Sequence, residues 1–232
     1  MPVIVPGDPH SPAVLFDVDG TLVDSTYLHV HAWHRAFADV EIPVQSWQIH
    51  RSIGMDGEKL LDTLAAAAEE DSRNRLKHLH KQYYQETASL LSPLPGAREI
   101  LDLIDSLGLQ VVLATSAPED EFATLRAVLD RDDLISTATS AQDVETAKPE
   151  PDIVHIALAR AQVSPQRAFF VGDAVWDAQA SVAAGVACIG VLSGGVSRAE
   201  LEQAGAEVVF DNALDLCTHL ADSPVQRLLD LR

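Results

Sequence analysis

Apolar residues are laid out along this chain in two rhythms. The first is the short continuous run: Ala13-Val14-Leu15-Phe16, Leu109 to Ala114, Leu134 to Thr139, Ala168 to Val171, Val186 to Val191 and Val208 to Phe210. Such runs, rich in β-branched and aromatic residues, predict strands buried on both faces. The first is expected to carry on to Asp19, over residues 13–19. The second rhythm is a spacing of three and four. Val30, Trp33, Phe37 and Val40 predict an amphipathic helix from Thr26 to Val40. Leu60, Leu61, Leu64 and Ala68 predict another over 57–70, and Leu76, Leu79, Tyr83, Thr87 and Leu90 a third over 72–91.

The order of the two rhythms sets the architecture. The first strand is followed by roughly seventy residues of helix, where an ordinary crossover between parallel strands uses one helix. The excess predicts a helical cap, residues 25–94, inserted just after the first strand. Ser92-Pro93-Leu94-Pro95-Gly96 is the return linker. Beyond it helix and strand alternate, with helices over 97–107, from Pro118 to Leu129, up to Ala161, and from Trp176 to Ala184. Alternation of this kind means a parallel sheet covered on both faces. The expected fold is α/β: a Rossmann-like parallel-sheet core, residues 13–24 and 95–232, with an inserted all-α cap. Residues 1–12, broken by Pro2, Pro6 and Pro9, read as a loose N-terminal tail.

Composition narrows the partners. The chain has 232 residues, 47% hydrophobic and 22% charged, a globular balance. A formal net charge of −19 argues against nucleic acid and against anionic membrane surfaces, both of which want basic patches. An anionic substrate would need local cations in its site. Cys188 and Cys217 form no disulfide framework, match no zinc spacing and read as packing residues. The proline-broken segment from Met1 to Asp8 lacks the basic region of a signal peptide. No apolar run is long enough to span a membrane, so the expected location is cytoplasmic. The oligomeric state is left open.

The polar residues that carry chemistry fall where strands end. Asp17 and Asp19 share a direction on an alternating strand, and an interior strand cannot bury both cheaply. They belong at its carboxyl end, where open α/β sheets bind ligands. Two acids that close call for a cation, and oxygen ligands suit Mg²⁺. Thr115 and Ser116 follow the strand over 109–114. Lys148 lies in the loop after 134–139. Asp173, with Asp177 four residues on, follows 168–171. In a parallel sheet all these ends share one edge. Together they can transfer a phosphoryl group: carboxylates hold the metal, lysine, hydroxyl and loop N–H groups cradle the phosphate, one carboxylate is the nucleophile and a second the acid/base. Taken singly, Thr115 is a helix cap, Lys148 a solvated cation and the later aspartates helix-start charges. The ordered set of four clusters favours the site.

These clusters resemble the four motifs of the haloacid dehalogenase superfamily, in its helical-cap branch of phosphoglycolate phosphatases and β-phosphoglucomutases. Asp17-Val18-Asp19-Gly20-Thr21-Leu22 resembles the first motif, Thr115 the second, Lys148-Pro149 the third, and Gly172-Asp173 through Asp177 the fourth. The resemblance implies that Asp17 is the nucleophile and a Mg²⁺ ligand. It implies that Asp19 is the general acid/base, with its backbone carbonyl on the metal. Thr115 and the Ser116 N–H would hold the phosphoryl group, and Lys148 would pair with nucleophile and phosphate. Asp173 would ligate Mg²⁺ and Asp177 would support it, directly or through water. The implied activity is a Mg²⁺-dependent phosphatase that passes through an aspartyl-phosphate and acts on a small phosphorylated metabolite.

The same resemblance leaves a sugar-phosphate mutase as the alternative, since His29 and Trp33 stand in a run similar to that of the mutases. Against it, the mutases carry a cap arginine three residues after a glycine, and here Gly57 follows Gly54. Arg51 and Lys59 are the candidate substitutes, and the loop between them is the candidate specificity segment. Of the cap histidines, His29 is the one expected to touch the site, and the group carries no accompanying zinc pattern. Trp33 and Tyr83 read as core residues. A catalytically idle regulatory module would be expected to have lost one of the acids or the lysine, and all are present.

Overall fold

The protein is described by a computed structural model over residues 11–143 and 146–230. Among these residues the strands are β1 (Ala13–Phe16), β2 (Gln110–Ala114), β3 (Ile135–Thr139), β4 (Ala168–Gly172), β5 (Ala187–Val191) and β6 (Ala206–Phe210). They form one parallel sheet in the order β3-β2-β1-β4-β5-β6. Between β1 and β2 run α1 (Thr26–Asp39), α2 (Ser46–Ser52), α3 (Gly57–Leu64), α4 (Glu70–Glu86) and α5 (Ala97–Ser106). Later come α6 (Glu119–Leu129), α7 (Asp152–Ala161), α8 (Val175–Ala183), α9 (Arg198–Ala204), α10 (Ala213–Thr218) and α11 (Gln226–Leu229). This is the expected Rossmann-like α/β fold.

The central strand β1 has Phe16 beside Leu113 on one side and Val171 on the other. Strands β1, β2 and β4 are buried along their whole length, which is why they read as continuous apolar runs. Their alternate residues feed two cores. Val14, Phe16, Val111, Leu113 and Phe169 pack against Ile100, Leu101 and Ile104 of α5 and Phe122 and Leu125 of α6. Leu15, Val112 and Phe170 pack against Ile153, Val154 and Ala157 of α7. Each fully buried large side chain contributes about 1.5–3 kcal/mol.

The helices inserted after β1 have a core of their own. Val30, Trp33 and Phe37 of α1 meet Leu76, Tyr83 and Tyr84 of α4, with Ile49 from α2 and Leu60 and Leu61 from α3. The spacing of three and four thus marks the faces that pack.

Several boundaries differ from the sequence expectation. β1 ends at Phe16, not Asp19. The Asp17 N–H still donates to the Val171 carbonyl (2.9 Å), but Gly20, at φ +78°, turns the chain out of the sheet. The helix expected over 57–70 stops at Leu64, and α4 begins at Glu70. No glycine or proline marks that stop, so tertiary packing overrides the high helix propensity of Ala65 to Ala68. α4 ends at Glu86 because the chain tightens there: the Thr87 hydroxyl donates to the Tyr84 carbonyl (2.7 Å). α2 has seven residues and too few apolar positions to show a period. The expected tail lies outside the described residues, apart from Ser11 and Pro12. Among the described residues no helix is long and apolar enough to cross a membrane.

Candidate active site

In this strand order the connections leave β1 and β4 in opposite directions, which opens a crevice at the carboxyl edge between them. Asp17 follows β1 directly and Asp173 follows β4 directly. Thr115 follows β2, and Lys148 arrives from the loop beyond β3. The sheet therefore brings all four predicted clusters to one place. Asp17, Asp173 and Asp177 each offer a carboxylate oxygen, and the three oxygens lie within 4.8 Å of one another.

Lys148 is fully buried. Its ammonium donates to Asp17 Oδ1 (2.6 Å) and to the Ala114 carbonyl (3.3 Å), and it pairs with Asp177 Oδ1 at 2.8 Å. A buried cation is tolerated only when its partners are this close. The two carboxylates hold its pKa above the ordinary lysine value against the opposing effect of burial. Asp177 also caps α8, its Oδ2 accepting the Ala174 N–H (3.0 Å). Asp173 is oriented by the Thr21 hydroxyl, which donates to Oδ1 (2.8 Å). Gly20 makes this approach possible, because a Cβ there would lie 2.5 Å from Asp173 Oδ2 and would also strike the Thr26 hydroxyl.

Asp19 stands apart from this group. Its Oδ1 accepts the Ser25 hydroxyl (2.6 Å) and faces His29 Nε2 at 3.4 Å. Thr115 Oγ1 is 3.5 Å from its Oδ2 and accepts the Ala117 N–H (3.0 Å). Burial pushes the Asp19 carboxyl up, but His29 and Ser25 hold it below its ordinary value. His29 shifts upward for the reciprocal reason, Asp19 outweighing burial. Its Nδ1 lies 3.1 Å from His80 Nε2. Burial and the neighbouring His29 keep His80 well below the ordinary histidine value, hence neutral. A protonated His29 can then donate to Asp19 from one nitrogen and to His80 from the other. Tyr84 stacks on the His29 ring at 3.9 Å, and Trp33 on His80 at 4.2 Å.

A cavity of about 370 Å³ opens over Asp17, Asp19, Thr115 and Ser116. Its far wall is the segment Ile53 to Glu58 with Trp33, Lys77, His80 and Lys81 from the helical insertion. His29 and the 53–58 segment both line this cavity. Arg51 and Lys59 are not among the lining residues. Arg51 pairs with Glu200, and Lys59 donates to the Ala147 carbonyl (2.6 Å) with Glu150 at 3.8 Å. Both tie the insertion to the sheet domain from outside the cavity, because their long side chains reach past its rim. Trp33 is core and cavity wall at once, while Tyr83 donates to Asp39 within the helical insertion. His80, Lys77, Lys81 and Glu121 line the cavity without any sequence motif to announce them. The one available hint was the helical spacing of Lys77 and Lys81, four residues apart on α4.

The donor set fits a hard cation. Four carboxylates, Asp17, Asp19, Asp173 and Asp177, stand against one lysine and His29. Burial and the charges of Asp177 and Asp19 push Asp17 up to about 8 despite Lys148. Burial, Asp177 and Asp17 push Asp173 well above the carboxylate range. Closely spaced carboxylate oxygens that repel in this way are what a divalent metal neutralises.

Fold and site together define a class: a Rossmann-like α/β protein with a carboxylate-lined site at the carboxyl edge of its sheet. The family is narrower. Residues 14–191 match the model of the haloacid dehalogenase-like hydrolases, and the chain belongs to that family. It is 30% identical over 176 residues to a phosphorylated carbohydrates phosphatase of Thermotoga maritima, covering 75% of this chain and 82% of that one. It is 29% identical over 226 residues to the phosphoglycolate phosphatase of Escherichia coli K12, covering 88% and 90%. A hydrolase from Pseudomonas syringae shares its structure with a TM-score of 0.87 and 35% identity, covering 91% of this chain and 99% of that one.

Proposed function

We propose that this protein is a Mg²⁺-dependent phosphatase that hydrolyses a small phosphate monoester through an aspartyl-phosphate on Asp17. The observation that carries the reading is the buried Lys148 gripping Asp17 and Asp177 beside Asp173. Lysine fixes one oxygen of Asp17 and leaves the carboxylate oriented for attack. Asp17 forms a bond to phosphorus as the bond to the leaving oxygen breaks. Asp19, close by but outside the three-aspartate cluster, relays to that oxygen the proton it shares with His29 and then takes one from the water that cleaves the acyl phosphate. His29 sets the orientation of Asp19. Thr115 and the Ser116 N–H hold the transferring group. Mg²⁺, held by Asp17, Asp173 and the Asp19 backbone carbonyl, would neutralise phosphoryl oxygens. Asp177 positions Lys148 and would support the metal directly or through water. Residues 25–94 act as a cap over the core of residues 13–24 and 95–232 and exclude water.

A mutase must hold a second phosphate in its cap. The cavity lysines on the cap side are already engaged, Lys77 with Glu58 and Lys81 with Asp120, so phosphatase is the better-supported reading. The test is phosphate release from a panel of monoesters with Mg²⁺ and with chelator, for wild type and Asp17→Asn. Mg²⁺-dependent release lost in the variant supports the reading. Near-normal release by Asp17→Asn defeats it, and isomerisation of glucose 1-phosphate without net release favours a mutase.

A further inference from the structure

Three acids open α6: Glu119, Asp120 and Glu121. Two are accounted for by their surroundings. Glu119 is exposed and accepts the Ser140 hydroxyl (3.2 Å), and Asp120 is exposed and paired with Lys81 at 2.7 Å. Both sit where negative charge favours a helix start. Glu121 is different. It is only 6% exposed, and it lines the cavity above Asp19 and Thr115. Among the described residues no group donates a hydrogen bond to its carboxylate and no cation pairs with it. Burial raises its pKa, with His29 and Lys81 opposing the shift and Asp19 and Asp120 adding to it. Its carboxylate oxygens are not among the sealed, unpartnered polar atoms of the described residues, so they open onto the cavity it lines, and helix capping does not require that placement. Its position beside the leaving-group end of the site supplies the reason.

We propose that Glu121 selects the leaving group, accepting hydrogen bonds from the hydroxyls of a neutral polyol or carbohydrate and repelling a leaving group that carries a carboxylate. This rests on the phosphatase reading of the same site. The rest of the cavity suits such an alcohol. Trp33, Met55 and Leu60 offer apolar walls to its C–H faces, and the Lys77–Glu58 pair offers a donor and an acceptor on the opposite side. An ammonium would be drawn to the same carboxylate, since Lys81 is paired with Asp120, so phosphoethanolamine is the competing ligand in the test. A glycolate carboxylate would meet Glu121, Glu58 and Asp56.

The test measures kcat/KM of wild type and Glu121→Gln for glycerol 1-phosphate, glucose 6-phosphate, phosphoglycolate, phosphoethanolamine and p-nitrophenyl phosphate. Wild type is expected to favour a polyol ester over phosphoglycolate by at least tenfold, and a preference for phosphoethanolamine would mean that Glu121 pairs a cation instead. In Glu121→Gln the ratio of polyol ester to p-nitrophenyl phosphate should fall about ten- to hundredfold, the loss of a charge-assisted hydrogen bond. The ratio of phosphoglycolate to p-nitrophenyl phosphate should rise. Equal losses on every substrate would mean a structural role and overturn the proposal. So would a wild-type preference for phosphoglycolate or phosphoethanolamine, which needs no variant to observe. If wild type releases no phosphate even from p-nitrophenyl phosphate with Mg²⁺, the phosphatase reading itself fails.

Discussion

Lys148→Met tests the electrostatics of the site most directly. The substitution keeps an unbranched stem under the Phe170 ring, 5.3 Å from the ammonium, but removes the cation. Lys148 is fully buried, and its partners Asp17 and Asp177 are almost so, so solvent cannot screen what is left behind. Breaking a buried pair by deleting one partner costs about 3–5 kcal/mol. For a chain of this size that is a fall in Tm of about 6–20 °C. A pH dependence follows. Asp17 is already pushed up to about 8 with Lys148 in place, and losing the lysine raises it and its neighbours further. The folded variant therefore keeps protons that the unfolded chain releases above pH ~4. Its stability falls as pH rises, by about 1.4 kcal/mol per pH unit for each extra proton. Urea unfolding in chelator at pH 6 and pH 9.5, followed by circular dichroism, reads both effects. The deficit relative to wild type should be larger at pH 9.5, where Asp17 of wild type has released its proton and that of the variant still holds it. A deficit under about 1 kcal/mol, or one equal at the two pH values, would refute the reasoning.

Gly20→Ala should cost about 1–2 kcal/mol for the left-handed backbone alone and should displace Asp173. A lowered Tm together with a raised Mg²⁺ requirement checks this, and a wild-type melt would count against it. Asp173→Asn keeps an acceptor for Thr21 but loses its charge, so the half-saturating Mg²⁺ concentration should rise at least tenfold. Calorimetric titration of the metal measures it, and unchanged affinity would remove Asp173 from the ligand set. The His29–Asp19 pair has its own pH window. Asp19 is depressed, so its contribution is present above ~4 and lost as pH falls through its folded pKa. His29 is raised, so its contribution is complete below ~6.5 and lost as pH climbs through its folded pKa. The Tm difference between wild type and His29→Asn should therefore be largest between about pH 4 and 6.5. A difference that stays flat from pH 5 to 9 would contradict the pairing.

What the sequence determined by itself was periodic or contiguous. Ala13 to Phe16 and Ala168 to Val171 announce central strands because both faces of a parallel strand are buried. Val30, Trp33 and Phe37 announce a helix because only one stripe is. The acids, the hydroxyl pair and the lysine were legible because each stands at a strand end or in the segment that follows one, and a parallel sheet gathers such ends at one edge. Only the tertiary structure decided the rest. Glu121 looks in sequence like the third of three acids charging a helix start, and only packing shows that it is buried and turned into the cavity. Arg51 and Lys59 flank the segment that lines the cavity, but their side chains run outward to Glu200 and Ala147. His80 becomes the partner of His29 because α4 lies against α1, fifty-one residues away along the chain. Helix and strand periods are set by neighbours in sequence. Burial, pairing and the direction of a long side chain are set by neighbours in space, which no local pattern encodes.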